Sequence, residues 1–204
     1  MSWLVLPMVA LITEFLPVKF HRRGIRVTFS LPFIAGMAVV AGVPGAIIAD
    51  IAVGVAASTV LNQTPDRDTS FLRAVSLSVA SVAVFFGGAI MSLVPGDTLP
   101  GAMIQAFVFT IVHGMTNLLL VSWLESGRHP LDLSIVVRRG AMPLAVYCLL
   151  AVAVGSLAWR DAAWALPLAL GPVLGIRAIV KAQAKAGSTY YEAMTTLAMM
   201  LQRA

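Results

Sequence analysis

The sequence predicts an all-α fold, a polytopic helical membrane bundle of about seven spans. Of its 204 residues, 59% are hydrophobic and only 11% are charged, against about 25% charged in ordinary soluble domains. The mean hydropathy is +0.92. Several apolar runs approach the length of about 20 residues that a helix needs to cross the hydrocarbon layer.

Seven apolar runs predict the spans, and prolines, glycines or charged residues separate them. They cover residues 3–18, 29–41, 45–61, 71–94, 102–124, 141–159 and 162–180. The first run lacks the basic start and small-residue cleavage site of a signal peptide, so it is predicted to be retained. The second run is short and contains Pro32. If this run does not cross, six spans remain.

The basic residues predict one orientation. With seven crossings, every Lys and Arg except Arg160 falls on the same face, which the positive-inside rule assigns to the cytoplasm. Six crossings would place the basic loop at residues 19–26 opposite the other basic loops. We therefore expect seven spans in a bacterial inner membrane, with the N-terminus outside and the C-terminus in the cytoplasm. The outer loops, residues 42–45, 95–101 and 160–161, are too short to form a ligand-binding domain.

The net charge of +5 does not indicate nucleic-acid binding, because the basic residues lie in short loops where they set orientation and contact anionic lipid. The single cysteine, Cys148, cannot form an intrachain disulfide. Phosphate-binding loops, HExxH motifs and Ser/His/Asp arrangements are absent from the sequence. We therefore expect no catalysis by this chain alone, no cofactor and no metal site.

Ionisable residues within apolar runs are costly, and each is a functional hypothesis. Three occur, Glu14, Asp50 and His113. Glu14 is close in sequence to the basic residues 19–26 and is interpreted as their ion-pair partner. Asp50 follows the turn at residues 42–45, where the start of a helix favours a carboxylate. It is either a structural residue or part of a binding site.

A polar stripe is predicted on the fifth run. His113 and Asn117 are four residues apart and share a helix face. Thr110 extends that face, and Gln105 lies further along and about a quarter-turn round. Together with Asp50, these four residues are the candidate ligand-binding residues. The alternative is that His113 and Asn117 only hydrogen-bond to neighbouring helices. Close helix packing is expected at Gly87-Gly88, and also at residues 171 and 175, which form a GxxxG pair.

The last residues have the pattern of a cytoplasmic helix. Gly187 interrupts the preceding helix, and Thr189 and Glu192 have capping-box spacing. Apolar positions then follow at the four–three spacing of a coiled-coil seam, at Tyr190, Met194, Leu197, Leu201 and Ala204. We expect a bundle at residues 1–180 and a signal-transmitting connector helix within residues 181–204. A helix lying on the membrane surface is the alternative.

Four segments together resemble the membrane-embedded N-terminal region of bacterial HD-GYP proteins, which are cyclic di-GMP phosphodiesterases. These are Glu14-Phe15-Leu16-Pro17-Val18, Thr28-Phe29-Ser30-Leu31-Pro32-Phe33, Asn117-Leu118-Leu119-Leu120-Val121 and the final STYYEAMTTLAMMLQRA. The resemblance implies that the last helix leads into a catalytic domain that this chain does not contain. The HD and GYP motifs are absent, so no catalytic residue is carried over.

A second stretch, SLPFIAGMAVVAGVPGAIIADIAVG, resembles the substrate-binding components of energy-coupling vitamin transporters. In that family a short span, a Gly-Pro turn and a helix carrying an Asp follow one another. The resemblance implies a small-molecule cavity beside Asp50 and a partner docked at the cytoplasmic surface.

The expected function is therefore a membrane anchor and sensor for a cyclic di-GMP phosphodiesterase, acting as a homodimer in contact with lipid. A ligand would be a small solute or a hydrophobic molecule. A small-molecule uptake component is the first alternative, and a passive anchor without a ligand is the second.

Overall fold

The computed structural model describes residues 2–15, 18–20, 25–27, 29–61, 67–126, 133–162, 167, 170–175, 178–179 and 182. The predicted helical fold is confirmed for this part of the chain. The elements in chain order are α1 (Ser2–Glu14), β1 (Val18–Phe20), β2 (Ile25–Val27), α2 (Leu31–Leu61), α3 (Arg67–Met91), α4 (Leu99–Ser126) and α5 (Leu133–Trp159).

A short antiparallel hairpin is the departure from an all-α fold. Strands β1 and β2 pair with Val18 opposite Val27 and Lys19 opposite Arg26. The basic residues at positions 19–26 predict a loop here. The apolar and basic residues of this segment in fact alternate, which is the period of a strand.

Helix α2 folds back on itself at Gly42. The backbone there has φ 70° and ψ −175°, a conformation that is essentially restricted to glycine. A straight helix would separate Leu31 from Val53 by about 33 Å, yet both residues line one cavity. The bend coincides with the predicted turn at residues 42–45. The second and third apolar runs are thus the two limbs of a helical hairpin.

Helix α3 is followed by a turn, and α4 then starts with an N-cap at Thr98. The Thr98 carbonyl accepts a 2.9 Å hydrogen bond from the Ala102 N–H. Its hydroxyl oxygen accepts another, of 3.2 Å, from the Gly101 N–H. These bonds satisfy amide groups that the first turn of a helix leaves without partners.

Helix α5 begins at Leu133, eight residues before the predicted run starts. Arg138 and Arg139 were expected in a loop, but they lie inside this helix. The helix ends in a Schellman motif, in which the Ala162 N–H bonds the Leu157 carbonyl at 2.9 Å. Asp161, within this motif, has a left-handed φ of 51°. Of the seventh predicted run, only residues 162, 167, 170–175 and 178–179 are described, and Val173 among them packs against Phe29 and Leu150.

The core lies where α1 to α5 meet. Its largest fully buried side chains include Leu6, Phe33, Phe109 and Val154. The outside of the bundle is also apolar. Two described segments, Leu31–Ala56 and Leu99–Trp123, have the length and apolar composition needed to cross a membrane.

Candidate functional site

A cavity of about 380 Å³ lies between helices α1 to α5. Ser30 and at least one residue from each helix line it. One part of the wall is apolar, and the other part carries carboxyl, hydroxyl, imidazole and amide groups. The lining residues are Glu14, Ser30, Leu31, Asp50, Val53, Gly54, Leu77, Ala80, His113, Asn117, Val121 and Tyr147.

Glu14 and Ser30 join the end of α1 to the start of α2. Ser30 occupies the N-cap position, since its carbonyl accepts hydrogen bonds from the N–H groups of Phe33 and Ile34 at 2.9 and 3.1 Å. Its hydroxyl donates a 2.7 Å hydrogen bond to Glu14 Oε1. This bond holds the Glu14 carboxylate at the cavity wall.

Asp50 reaches the same cavity from the second limb of α2. It lines the same cavity as Glu14, and two carboxylates that share a site repel each other when both are ionised. Its Oδ2 is buried and has no hydrogen-bond partner among the described residues. The hairpin at Gly42 creates this arrangement, because it returns the chain to the level of Ser30.

His113 and Asn117 line the cavity from α4, one helical turn apart. The His113 side chain is only 6% exposed and stacks on Phe109 with ring centroids 5.7 Å apart. In the described part of the structure, neither of its ring nitrogens has a hydrogen-bond partner. A buried polar group without a partner costs about 1–3 kcal/mol. Gly87 of α3 permits this packing, because a Cβ there would lie 3.3 Å from His113 Cβ.

Tyr147 brings α5 to the site. Its ring packs edge-on against Phe29, with centroids 5.6 Å apart and an interplanar angle of 87°. Its hydroxyl group also lies close enough to Glu14 to interact electrostatically with that carboxylate. The phenol therefore stands on the acidic side of the cavity.

Three of the five predicted ligand-binding residues, Asp50, His113 and Asn117, share the cavity. The other two do not line it. Thr110 is fully buried and its hydroxyl donates to the Ala106 carbonyl, one turn earlier, at 2.8 Å. Gln105 Nε2 donates a 2.7 Å hydrogen bond to the Val94 carbonyl, and this bond stabilises the turn between α3 and α4.

Three further residues line the cavity with polar side chains and were not predicted as ligand-binding residues, namely Glu14, Ser30 and Tyr147. Glu14 was recognised as an ionisable residue in an apolar run but was assigned to pairing with the basic segment at residues 19–26, whose side chains lie outside the described residues. The sequence spacing of Ser30 and Tyr147 does not indicate a shared site with Glu14, since their proximity to Glu14 depends on how α1, α2 and α5 pack.

The signal-transmitting helix lies outside the described residues, and with it Thr189, Tyr190, Glu192, Met194, Leu197 and Leu201. Within the described part, no group of three or more His, Cys, Asp and Glu side chains is placed to hold a metal ion. Comparison of the chain with protein-family models, with curated proteins and with solved structures finds no match.

Proposed function

We propose that this chain is a module of the bacterial cytoplasmic membrane that binds a small molecule in its central cavity. Two features support the membrane location. The two segments long enough to cross are only 44% and 22% buried, whereas the core helix of a soluble protein is mostly buried. Large apolar side chains also point outward on each of α1 to α5, with Met8 67%, Ile48 69%, Phe85 58%, Trp123 61% and Leu149 75% exposed.

The proposed topology has seven spans, with the N-terminus outside and the C-terminus in the cytoplasm. The first limb of α2, residues 31–41, is about 16 Å long, roughly half of the hydrocarbon thickness. The chain enters this hairpin and leaves it at the same face of the bundle. The orientation therefore holds whether this hairpin crosses fully or only part of the way.

The cavity is the observation that carries the binding proposal. Its volume lies in the range typical of small-molecule sites, and such sites combine apolar walls with a few convergent polar groups. The unpartnered atoms of Asp50 and His113 supply those groups. A bound molecule that completes their hydrogen bonds recovers the cost of burying them.

Signalling is the role that we assign to this binding. Because α1 to α5 each line the cavity, a ligand contacts each of them and can favour one helix arrangement over another. The predicted connector helix, within residues 181–204, would pass this change to a cytoplasmic HD-GYP output domain in a homodimer. A ligand with equal affinity for both arrangements would transmit nothing.

The binding test is thermal unfolding of the purified chain in detergent with a library of small polar molecules. A ligand present at 100 times its dissociation constant stabilises by about 2.7 kcal/mol. The Ala80→Phe variant fills the cavity, and it should unfold at the same temperature with or without that ligand. Ala89→Phe on the same helix is the control, because Ala89 lines an apolar groove outside the cavity. If no molecule stabilises the wild type, or if Ala80→Phe responds as the wild type does, the cavity is not a binding site.

A small-molecule uptake component is the second candidate, and the α2 hairpin favours it. In α2, a short helical limb is followed by a Gly-Pro turn and then by a limb that carries Asp50 at the cavity wall. The transporter components that the sequence resembles have these elements in the same order. The DNA sequence downstream of the Ala204 codon distinguishes the signalling role from the uptake role. A reading frame that continues into an HD domain supports signalling. A stop codon at that point contradicts the signalling role and supports uptake.

A further inference from the structure

The charge of the cavity limits what it can bind. Two carboxyl groups, Glu14 and Asp50, reach it from different helices, and none of the described residues that line it is a lysine or an arginine. Because both groups line one cavity, their like charges repel each other when both are ionised. Such a wall excludes anions and favours a positive charge placed between the two groups.

The size of the cavity indicates an organic cation rather than a bare ion. At about 30 Å³ of liquid volume per water, a space of about 380 Å³ has room for roughly a dozen water molecules. An ion held by two carboxylates would leave most of that space unused. Apolar side chains form the remaining wall, at Leu31, Val53, Leu77, Ala80 and Val121, and they suit a hydrocarbon body.

His113 provides an observation independent of the carboxylates. Its side chain is only 6% exposed, so it is more than nine-tenths buried, and it lines the cavity. Both of its ring nitrogens lack hydrogen-bond partners among the described residues. A neutral imidazole offers one N–H donor and one acceptor. A molecule that carries a hydroxyl or carbonyl group besides its charge can bond to it.

We propose that the ligand is a small protonated amine that also bears a hydrogen-bonding group. Its ammonium group lies between the carboxylates of Asp50 and Glu14, beside the Tyr147 phenol. Its hydrocarbon body contacts the apolar wall, and its hydroxyl or carbonyl group bonds to His113. This inference rests on the proposed small-molecule binding and specifies the chemical class of the ligand.

Isothermal titration of the detergent-solubilised chain with molecules that differ only in charge tests the inference. One set is tyramine with its alcohol counterpart tyrosol and its acid counterpart 4-hydroxyphenylacetate. A smaller set is 4-aminobutanol, butanediol and 4-hydroxybutyrate, and magnesium and calcium chloride are titrated separately. We expect an amine to bind at least about 30-fold more tightly than its alcohol and acid counterparts, the factor typical of losing one partner of a buried charge pair.

Charge-removing variants of nearly equal shape complete the test. Asp50→Asn and Glu14→Gln should each weaken amine binding by about 30-fold or more. Asp97→Asn is the matched control, because Asp97 is exposed in the turn before α4 and should bind as the wild type does. Circular dichroism verifies that each variant keeps its helix content, and Glu14→Gln decides the question if Asp50→Asn does not fold.

The outcomes separate this inference from the proposed function. Equal or tighter binding of the alcohols or acids, tight binding of a metal ion alone, or full amine affinity in both carboxylate variants overturns the inference and leaves small-molecule binding in place. If no probe of any charge binds and the wider library also gives no stabilisation, the inference and the proposed binding function fail together.

Discussion

Replacing His113 by phenylalanine should stabilise the ligand-free protein. The imidazole is 6% exposed, and neither ring nitrogen has a partner within the described structure. A phenyl ring at this position keeps the stacking on Phe109, which has a centroid distance of 5.7 Å. Its additional volume extends into the adjoining cavity of about 380 Å³, so overpacking is not expected.

The magnitude follows from the two nitrogens. Each buried unpartnered polar group costs about 1–3 kcal/mol, which gives an upper bound of about 6 kcal/mol for the pair. Water entering the cavity recovers part of that cost, so we expect a gain of at least about 1 kcal/mol. For a chain of this length, 1 kcal/mol raises the unfolding midpoint by about 2–4 °C. The same variant should lose ligand binding, the usual exchange of function for stability at a binding site.

Thermal unfolding in one detergent, followed by circular dichroism, measures this difference. Thr110→Val is the matched control on the same helix, because it removes a fully buried hydroxyl that already bonds the Ala106 carbonyl at 2.8 Å. We expect no stabilisation from that change. A midpoint for His113→Phe at or below that of the wild type would refute the reasoning, since it would mean that the imidazole is satisfied in the folded protein.

Three further substitutions test the packing around the site. Gly42→Ala should destabilise by about 1–3 kcal/mol, because its φ of 70° and ψ of −175° strain any other residue. Gly155→Ala should lower the midpoint, since its new methyl group would lie 2.6 Å from Ala106 Cβ and overpacking typically costs about 1–3 kcal/mol. Gly171→Ala is the control for both and should not destabilise, because no described residue lies within 4 Å of the position of its new methyl group. Gln105→Met should lose about 0.5–1.5 kcal/mol with its hydrogen bond to the turn. Unfolding midpoints check all four variants, and equal values for the 42, 155 and 171 variants would contradict the described packing.

Hydropathy was sufficient to predict helices and the turn at residues 42–45, because apolar runs and a Gly-Pro turn are local signals. It could not predict the β1–β2 hairpin, whose alternation of apolar and basic residues is short and was interpreted as a loop. Helix ends were also missed where a helix continues past the apolar run, as α5 does at Arg138 and Arg139.

The candidate site was predictable only in part. Residues His113 and Asn117 share a face by helical spacing alone, and Asp50 was notable as a charge in an apolar run. Spacing also selected Thr110, although its hydroxyl bonds to its own helix. The proximity of Glu14 and Tyr147 depends on the packing of three helices, and a single sequence carries no signal of that contact.

The most direct test of the central claim is the reactivity of single cysteines towards a membrane-impermeant maleimide in sealed membranes. Cys148→Ser removes the natural thiol, and cysteine is then placed at Ile48, which is 69% exposed on the apolar exterior, or at Asp97 in the turn before α4. A bundle embedded in lipid predicts rapid labelling at position 97 from the outer side and none at position 48, with position 48 becoming reactive after the membrane is dissolved in detergent. Equal labelling of both positions in intact membranes would contradict the account, because the apolar exterior would then face water.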